Sequence, residues 1–240
     1  MRADLYLVEH GYFDSRAKAR AAIDAGRVRA NGVVVSKASK KIPADVVIHA
    51  EAAHPWVSRA ALKLVAGLDN FGIDPAGRVC LDVGASTGGF TQVLLSRGAA
   101  KVYAVDVGRG QLHPSVADDP RTVGLEGRDA RTLDASVIGD RPTMIVCDAS
   151  FIGLAKVLER PLELAAETCD LVALIKPQFE VGRENIGKRG IVSDTAATEA
   201  AVARVTAWIS DQTGFSVVGV CESPITGGDG NVEFLIAARK

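Results

Sequence analysis

The sequence predicts an α/β protein, a doubly wound and largely parallel sheet preceded by a small α+β module. Two observations point there. From residue 79 onward, short apolar runs alternate with helical stretches, as strands do when crossover helices cover both faces of a sheet. Before residue 52, two short helical segments lead into an Asn-Gly turn flanked by β-branched residues, a strong hairpin signal. The 240 residues, 48% of them hydrophobic, suffice for one or two cores.

In chain order, Leu5, Leu7 and Val8 precede Gly11, which suits a short helix ended by a left-handed residue. Ser15 reads as the N-cap of a second helix over 16–23, ended at Gly26. Val28 to Val35 then form two short strands around Asn31-Gly32. Residues 53–58 read as a linker, with Ser58 as N-cap of a helix over 59–71 in which Leu62, Val65, Leu68 and Phe71 share a side. Lys63 sits among these apolar positions, and alone it reads as a lysine with a buried stem and a solvated head. Strands are expected at 79–83, 101–105, 122–125, 144–147 and 171–175, with helices over 90–97, 154–167 and 196–212. Two final strands, 215–222 and 232–238, are joined by a Gly-rich segment without a helix, so they must be antiparallel if adjacent. That makes seven strands, with the site expected at their C-terminal ends.

The net charge of −1 hides an asymmetry. Residues 1–60 carry ten Lys/Arg against six Asp/Glu, and the remainder 18 against 23, so a module of +4 precedes a body of −5. Between Arg16 and Lys41 stand eight basic residues and one acid, Asp24. A basic end on an acidic body suggests an anionic partner; a solvated helix face is the plainer alternative. No run approaches the roughly 18 apolar residues of a membrane span, and Asp4 interrupts any signal-like apolar start, so an intracellular, cytoplasmic chain is expected. Cys80, Cys147, Cys169 and Cys221 are far apart and lack C-x-x-C spacing, which reads as buried free thiols. His10, His49, His54 and His113 are scattered, and no metal site is expected.

The first long strand runs into Asp82-Val83-Gly84-Ala85-Ser86-Thr87-Gly88-Gly89-Phe90 and a helix. Such a turn lets backbone approach a ligand and points free N–H groups at it. A dinucleotide fingerprint would need glycine at position 86, where pyrophosphate approaches; Ser86 crowds it. S-adenosylmethionine has no pyrophosphate, and its ammonium and carboxylate suit Asp82 and the exposed N–H groups of Gly84, Ala85, Ser86, Gly88 and Gly89. Asp106 ends the second strand 22 residues after Gly84, placed to accept from a ribose diol. S-adenosylmethionine is therefore favoured over NAD. Asp148 and Lys176 end the fourth and fifth strands, at one rim of the sheet if those strands are adjacent, and a lysine closing a buried apolar strand is costly to explain as structure. Glu233 begins the last strand. With Lys63, these give two lysines and two carboxylates that could converge.

Two resemblances follow from these residues. D-x-x-L-V-E-x-G followed by S-R-x-x-A-x-x-x-I-x-x-G-x-V-x-x-N-G over residues 3–50 resembles the small RNA-binding domain of ribosomal protein S-four, with Ala3 where that family has leucine. It implies docking on structured RNA through phosphate contacts, for which Arg16, Lys18, Arg20, Arg27 and Arg29 are the candidates. The set Lys63, Asp148, Lys176, Glu233 resembles the K-D-K-E tetrad of FtsJ-like ribose 2′-O-methyltransferases. The whole chain, through W-V-S-R-A-A-L-K-L, L-D-V-G-A-S-T-G-G-F-T, C-D-A-S-F, L-I-K-P-Q-F-E and G-N-V-E-F, resembles the TlyA family, known both as rRNA methyltransferases and as hemolysins. That resemblance implies a Rossmann-like seven-stranded S-adenosylmethionine-dependent methyltransferase sheet over 59–240, an S-four-like domain over 1–52, a catalytic role for the tetrad, and Asp129 at the adenine amine. It implies methylation of a cytidine 2′-hydroxyl in ribosomal RNA, with large-subunit RNA favoured by resemblance to the family's shorter form.

The chemistry suits the residues. Displacement at a sulfonium methyl needs no metal, only a hydroxyl that loses its proton during attack. A free lysine amine is neutral roughly one part in a thousand at pH 7, and burial beside positive charge favours the neutral form. Base-plus-orientation catalysis of this kind typically contributes about 10²–10⁴-fold. Two other readings remain open at this level, a membrane-active hemolysin and an RNA-binding assembly factor without catalysis. The sequence shows no insertion segment for the first, and the intact tetrad argues against the second.

Overall fold

A computed structural model of the chain describes residues 1–43 and 45–240. They divide into two compact units, Met1–Pro55 and Trp56–Lys240. In the first, α1 (Ala3–Glu9) and α2 (Arg16–Asp24) pack against an antiparallel sheet of β1 (Val28–Ala30), β2 (Val33–Val34) and β3 (Ile48–Ala50), in the order β2-β1-β3. Asn31 and Gly32 have φ of 48° and 79° between the paired Ala30 and Val33, the two left-handed positions of a type I′ hairpin. Ser15 Oγ accepts from Lys18 N at 3.3 Å, so the expected N-cap forms. Leu7, Phe13, Ile23, Val28 and Val35 build this unit's core.

The second unit contains α3 (Ala60–Phe71), β4 (Val79–Val83), α4 (Gly89–Ser96), β5 (Lys101–Asp106), α5 (Pro114–Ala117), β6 (Thr122–Glu126) and β7 (Met144–Cys147). α6 (Leu154–Leu164), β8 (Asp170–Ile175), α7 (Pro177–Glu180), α8 (Thr195–Ser210), β9 (Ser216–Glu222) and β10 (Phe234–Arg239) follow. The seven strands lie in the order β6-β5-β4-β7-β8-β10-β9. β4 to β8 are parallel, and β10 slots antiparallel between β8 and β9. Alternate residues face opposite sides. Leu81, Tyr103, Ile145 and Leu171 meet Leu158 of α6 and Ile209 of α8, while Cys80, Val102, Met144 and Val172 meet Leu64 of α3 and Leu94 of α4. All six residues of β8 are buried, which is why its sequence shows no polar alternation. Cys80, Cys147 and Cys169 are buried free thiols, and burial pushes each up to about 12.

Several local expectations are corrected. α3 buries Ala61 and Leu64 together with the expected Leu68, while Leu62, Val65 and Phe71 are only partly buried. Gly67 sets this roll, since a Cβ there would lie 3.1 Å from Val172 and 3.3 Å from Leu235. Ser58 does not cap α3: Arg59 precedes it with helical angles, and Ser58 Oγ packs instead against Gly89. Trp56 and Val57 pack on the second core and Val57 N donates to Gln92 Oε1 at 2.7 Å, so this unit starts three residues before Arg59. α6 stops at Leu164 because Ala165 turns extended and Ala166 N donates to Pro142 O at 3.0 Å. Glu233 lies just before β10, whose first paired residue is Phe234.

Candidate active site

The C-terminal strand ends converge on a cleft of about 930 Å³ bordered by Gly84, Ser86, Asp106, Gln111, Asp129 and Phe151. Gly84 has φ +83°, and a Cβ there would lie 2.9 Å from Ala149 Cα and N. Only glycine therefore lets the turn after β4 close on the turn after β7. Ser86, also left-handed at φ +47°, directs its N–H to Asp106 Oδ2 at 2.8 Å, while Gly108 N donates to Oδ1 at 2.7 Å. One carboxylate thus ties two turns and still keeps lone pairs toward the cleft. Asp129 pairs with Arg131 at 2.6 Å, which holds its carboxyl below the usual range.

The N–H groups expected to be free in this turn are mostly spent within the protein. Besides Ser86 N, Gly84 N and Ala85 N donate to Val105 O at 2.9 and 3.1 Å, and Gly88 N donates to Ala85 O at 2.7 Å. The cradle residues themselves are placed unequally. Ala85 and Gly89 border a second hollow next to the cleft, while Gly88, at φ +90°, packs against Val116. Asp82 reaches neither wall. It is fully buried beneath the turn, where Thr91 Oγ1 donates to its Oδ2 at 2.6 Å and Oδ1 has no partner among the described residues. Burial first, then the charges of Asp148 and Asp106, lift this carboxyl to about 7.

The second hollow, about 320 Å³, is lined by Lys63, Asp148, Ser150 and Lys176, and it shares Gly84, Ser86, Asp148 and Ser150 with the cleft. Lys63 Nζ lies 2.5 Å from Glu233 Oε2, with both groups buried. Glu233 meets the hollow only through Lys63, and its Oε1 faces Gly227, where a Cβ would come within 2.5 Å. Lys176 Nζ lies 2.6 Å from Asp148 Oδ1, in a contact too poorly aligned to count as a hydrogen bond. It also donates to Asp148 O at 3.1 Å and to Ser150 Oγ at 2.8 Å. Two lysine–carboxylate pairs from four parts of the chain therefore sit around one small space. Among the described residues, no group of three or more His, Cys, Asp or Glu side chains could hold a metal ion.

Sequence reasoning missed four residues here. Ser150 is one. Phe151 has φ +66° and is 91% exposed on the cleft rim, its ring 5.3 Å from Phe179; a bulky residue held left-handed stores of order 1–3 kcal/mol. Asn231, 2% exposed, accepts from Val192 N and donates to Gly190 O, each at 2.9 Å, clamping the segment before Glu233. Glu180 Oε1 accepts from Leu154 N at 2.7 Å and so caps α6, whose N-cap Gly153 has no side chain. The motifs D-A-S-F, G-N-V-E-F and K-P-Q-F-E contained these residues, but only spatial pairing shows what they hold.

The basic face of the first unit is less free than its charge count suggested. Arg16 pairs at 2.9 Å with the buried Asp4, which Arg2 also holds, and the two guanidiniums keep that carboxyl well below its usual range. Lys18 pairs with Asp14 at 2.5 Å, Arg20 with Asp24 at 3.8 Å and Arg27 with Glu51 at 3.3 Å, while Arg29 donates to Gly32 O. The module's acids are spaced to meet its bases, so Arg16 in particular also serves the fold.

The FtsJ-like methyltransferase family matches residues 56–240, and the S4 domain matches residues 1–48. The 16S/23S rRNA (cytidine-2′-O)-methyltransferase TlyA of Mycobacterium tuberculosis is 45% identical over 99% of this chain and 89% of its own length. Hemolysin A of Brachyspira hyodysenteriae is 40% identical over 98% of both chains. The solved structure of a Streptococcus thermophilus protein described as a hemolysin superposes with a TM-score of 0.78 at 38% identity, covering 100% of this chain and 88% of that one. A magnesium protoporphyrin IX methyltransferase from Synechocystis, at 15% identity and a TM-score of 0.52 over 76% of this chain and 82% of its own, shares the sheet alone. With both units and the full span of the chain matched, this protein belongs to the TlyA family of FtsJ-like methyltransferases.

Proposed function

We propose that the protein methylates a cytidine ribose 2′-hydroxyl in ribosomal RNA, using S-adenosylmethionine and working in the cytoplasm. The observation that carries this reading is the pair of lysine–carboxylate contacts, Lys63–Glu233 and Lys176–Asp148, at one hollow beside a glycine-walled cleft. The cleft suits the cofactor. Its volume is within the usual range for small-molecule sites, its wall at Gly84 has no room for a side chain, and Asp106 offers acceptors for a ribose diol. When bound, S-adenosylmethionine supplies an electrophilic methyl group on a sulfonium.

The chain's own groups do the rest. Lys176 takes the proton of the attacking hydroxyl, and Asp148 holds its amine in place. Lys63 balances the buried Glu233 and presents positive charge to the hollow. Asp129 is assigned to the adenine amine, and Asp82 supports the turn from below. Residues 1–55 bind RNA through their basic side chains, and residues 56–240 carry the chemistry. The hemolysin name belongs to relatives, and among the described residues no helix is long and apolar enough to cross a membrane.

The test combines purified protein, labelled S-adenosylmethionine and ribosomal subunits from cells lacking the gene, followed by mapping of 2′-O-methyl positions. One methylated cytidine is expected, and none with Lys176→Ala or Lys176→Arg, because arginine keeps the charge but cannot serve as a base near neutral pH. A base-methylated product would overturn the reading. Substantial activity in Lys176→Arg would leave Lys176 as an electrostatic clamp.

A further inference from the structure

Lys176 carries more partners than a lone general base needs. Its amine, 6% exposed with the rest of the residue, contacts Asp148 Oδ1 at 2.6 Å and donates to Asp148 O at 3.1 Å and Ser150 Oγ at 2.8 Å. An ammonium has three N–H directions, and three neighbours stand around this one. Two of them, a carboxylate oxygen and a carbonyl oxygen, can only accept. Ser150 Oγ alone can accept and donate at once. It also occupies a different position from Lys176: the residue is exposed and borders both the cleft and the smaller hollow, where Lys176 borders only the hollow.

We propose that Ser150 is a catalytic relay, accepting the proton of the substrate hydroxyl while passing its own proton to Lys176. The inference rests on the methyltransferase reading above. In the step, the substrate O–H bond breaks and its proton joins Ser150 Oγ, as the Ser150 O–H proton joins the neutral Lys176 Nζ. The freed oxygen pair forms the new O–CH₃ bond, and the S–CH₃ pair stays on sulfur. Serine ends unchanged, the sulfonium becomes a neutral thioether, and Lys176 ends as an ammonium, so charge and atoms balance. Ser150 need never become an alkoxide, because its two proton transfers are coupled. The competing route is direct transfer to Lys176, which also touches the hollow.

Three measurements on the full-length protein separate the routes. In the free protein, with lysine labelled at ¹⁵Nζ, the Lys176 Nζ protons should exchange with water faster in Ser150→Ala than in wild type, and at wild-type rate in Ser150→Thr. Single-turnover methyl transfer to ribosomal subunits should fall by about 10²-fold or more in Ser150→Ala, with cofactor affinity, RNA affinity and Tm unchanged, and Ser150→Thr should recover most of it. A proton inventory in H₂O/D₂O mixtures should curve for wild type, reporting two protons in flight, and be linear for Ser150→Ala. Unchanged amine exchange in Ser150→Ala, a wild-type rate in that variant, or a linear or absent isotope dependence in wild type would each overturn the relay while leaving the methyltransferase reading intact. Failure of wild type to methylate any ribose would instead overturn that reading.

Discussion

Asp82→Asn isolates the cost of the carboxyl buried beneath the Gly-rich turn. Asp82 is fully buried, accepts one hydrogen bond from Thr91, and is lifted from an ordinary 3.8 to about 7 chiefly by burial. Between about pH 4 and pH 7, the folded protein therefore holds a proton there that the unfolded chain has released. Because the folded state binds the extra proton, this group's contribution is most favourable below about pH 4. It declines as pH rises to about 7 and is flat above. At 1.36 kcal/mol for each tenfold step, that distance is worth about 4 kcal/mol. Asparagine keeps an oxygen for Thr91 and cannot ionise, but its NH₂ replaces Oδ1, which lacks a partner among the described residues. That costs about 1–3 kcal/mol at every pH. Urea unfolding of both proteins at intervals from pH 4 to pH 8 separates the two effects. The variant should gain on wild type by up to about 4 kcal/mol across the range, whatever its constant offset. A difference that stays flat within about 0.5 kcal/mol would mean that Asp82 is ionised or solvated in the native protein.

Lys63→Met should destabilise the second unit by about 3–5 kcal/mol in thermal unfolding, because it strands the buried Glu233. Lys63→Met with Glu233→Leu should recover most of that, and a single variant costing under about 1 kcal/mol would show the pair to be solvated. Asp106→Ala should weaken S-adenosylmethionine about 10- to 100-fold in calorimetry without RNA, losing ribose acceptors and the tie between the Ser86 and Gly108 turns; tighter binding of NAD would overturn the cofactor assignment. Arg20→Ala with Arg29→Ala should lower the salt slope of RNA binding by roughly 0.7–0.9 per lost phosphate contact at constant Tm. Arg16→Ala should also lower Tm, since it removes one of the two guanidiniums on buried Asp4.

What was legible in the sequence is what local chemistry decides. The strands β4, β7 and β8 announce themselves because burial on both faces leaves them almost wholly apolar, and Asn31-Gly32 announces its hairpin because few residue pairs tolerate two left-handed positions. What was hidden depends on contacts between distant residues. The roll of α3 is set by Gly67 against Val172 and Leu235 on other elements, so its buried face could not be phased from its own period. The basic module looked free because a charge count does not see that Asp4 is buried between Arg2 and Arg16. The two lysines make the sharpest case: Lys176, closing a buried apolar strand, already stands out in the sequence, while Lys63 reads as a buried stem with a solvated head. Their surroundings differ: Lys63 is locked to a carboxylate that meets the hollow only through it, whereas Lys176 lies against Asp148 and the exposed Ser150, both of which open to the cleft. A proton can leave the second site by way of a hydroxyl, but leaving the first would strand Glu233 as a buried, unbalanced charge. Under the proposed mechanism, that asymmetry favours Lys176 as the base and Lys63 as the fixed positive charge.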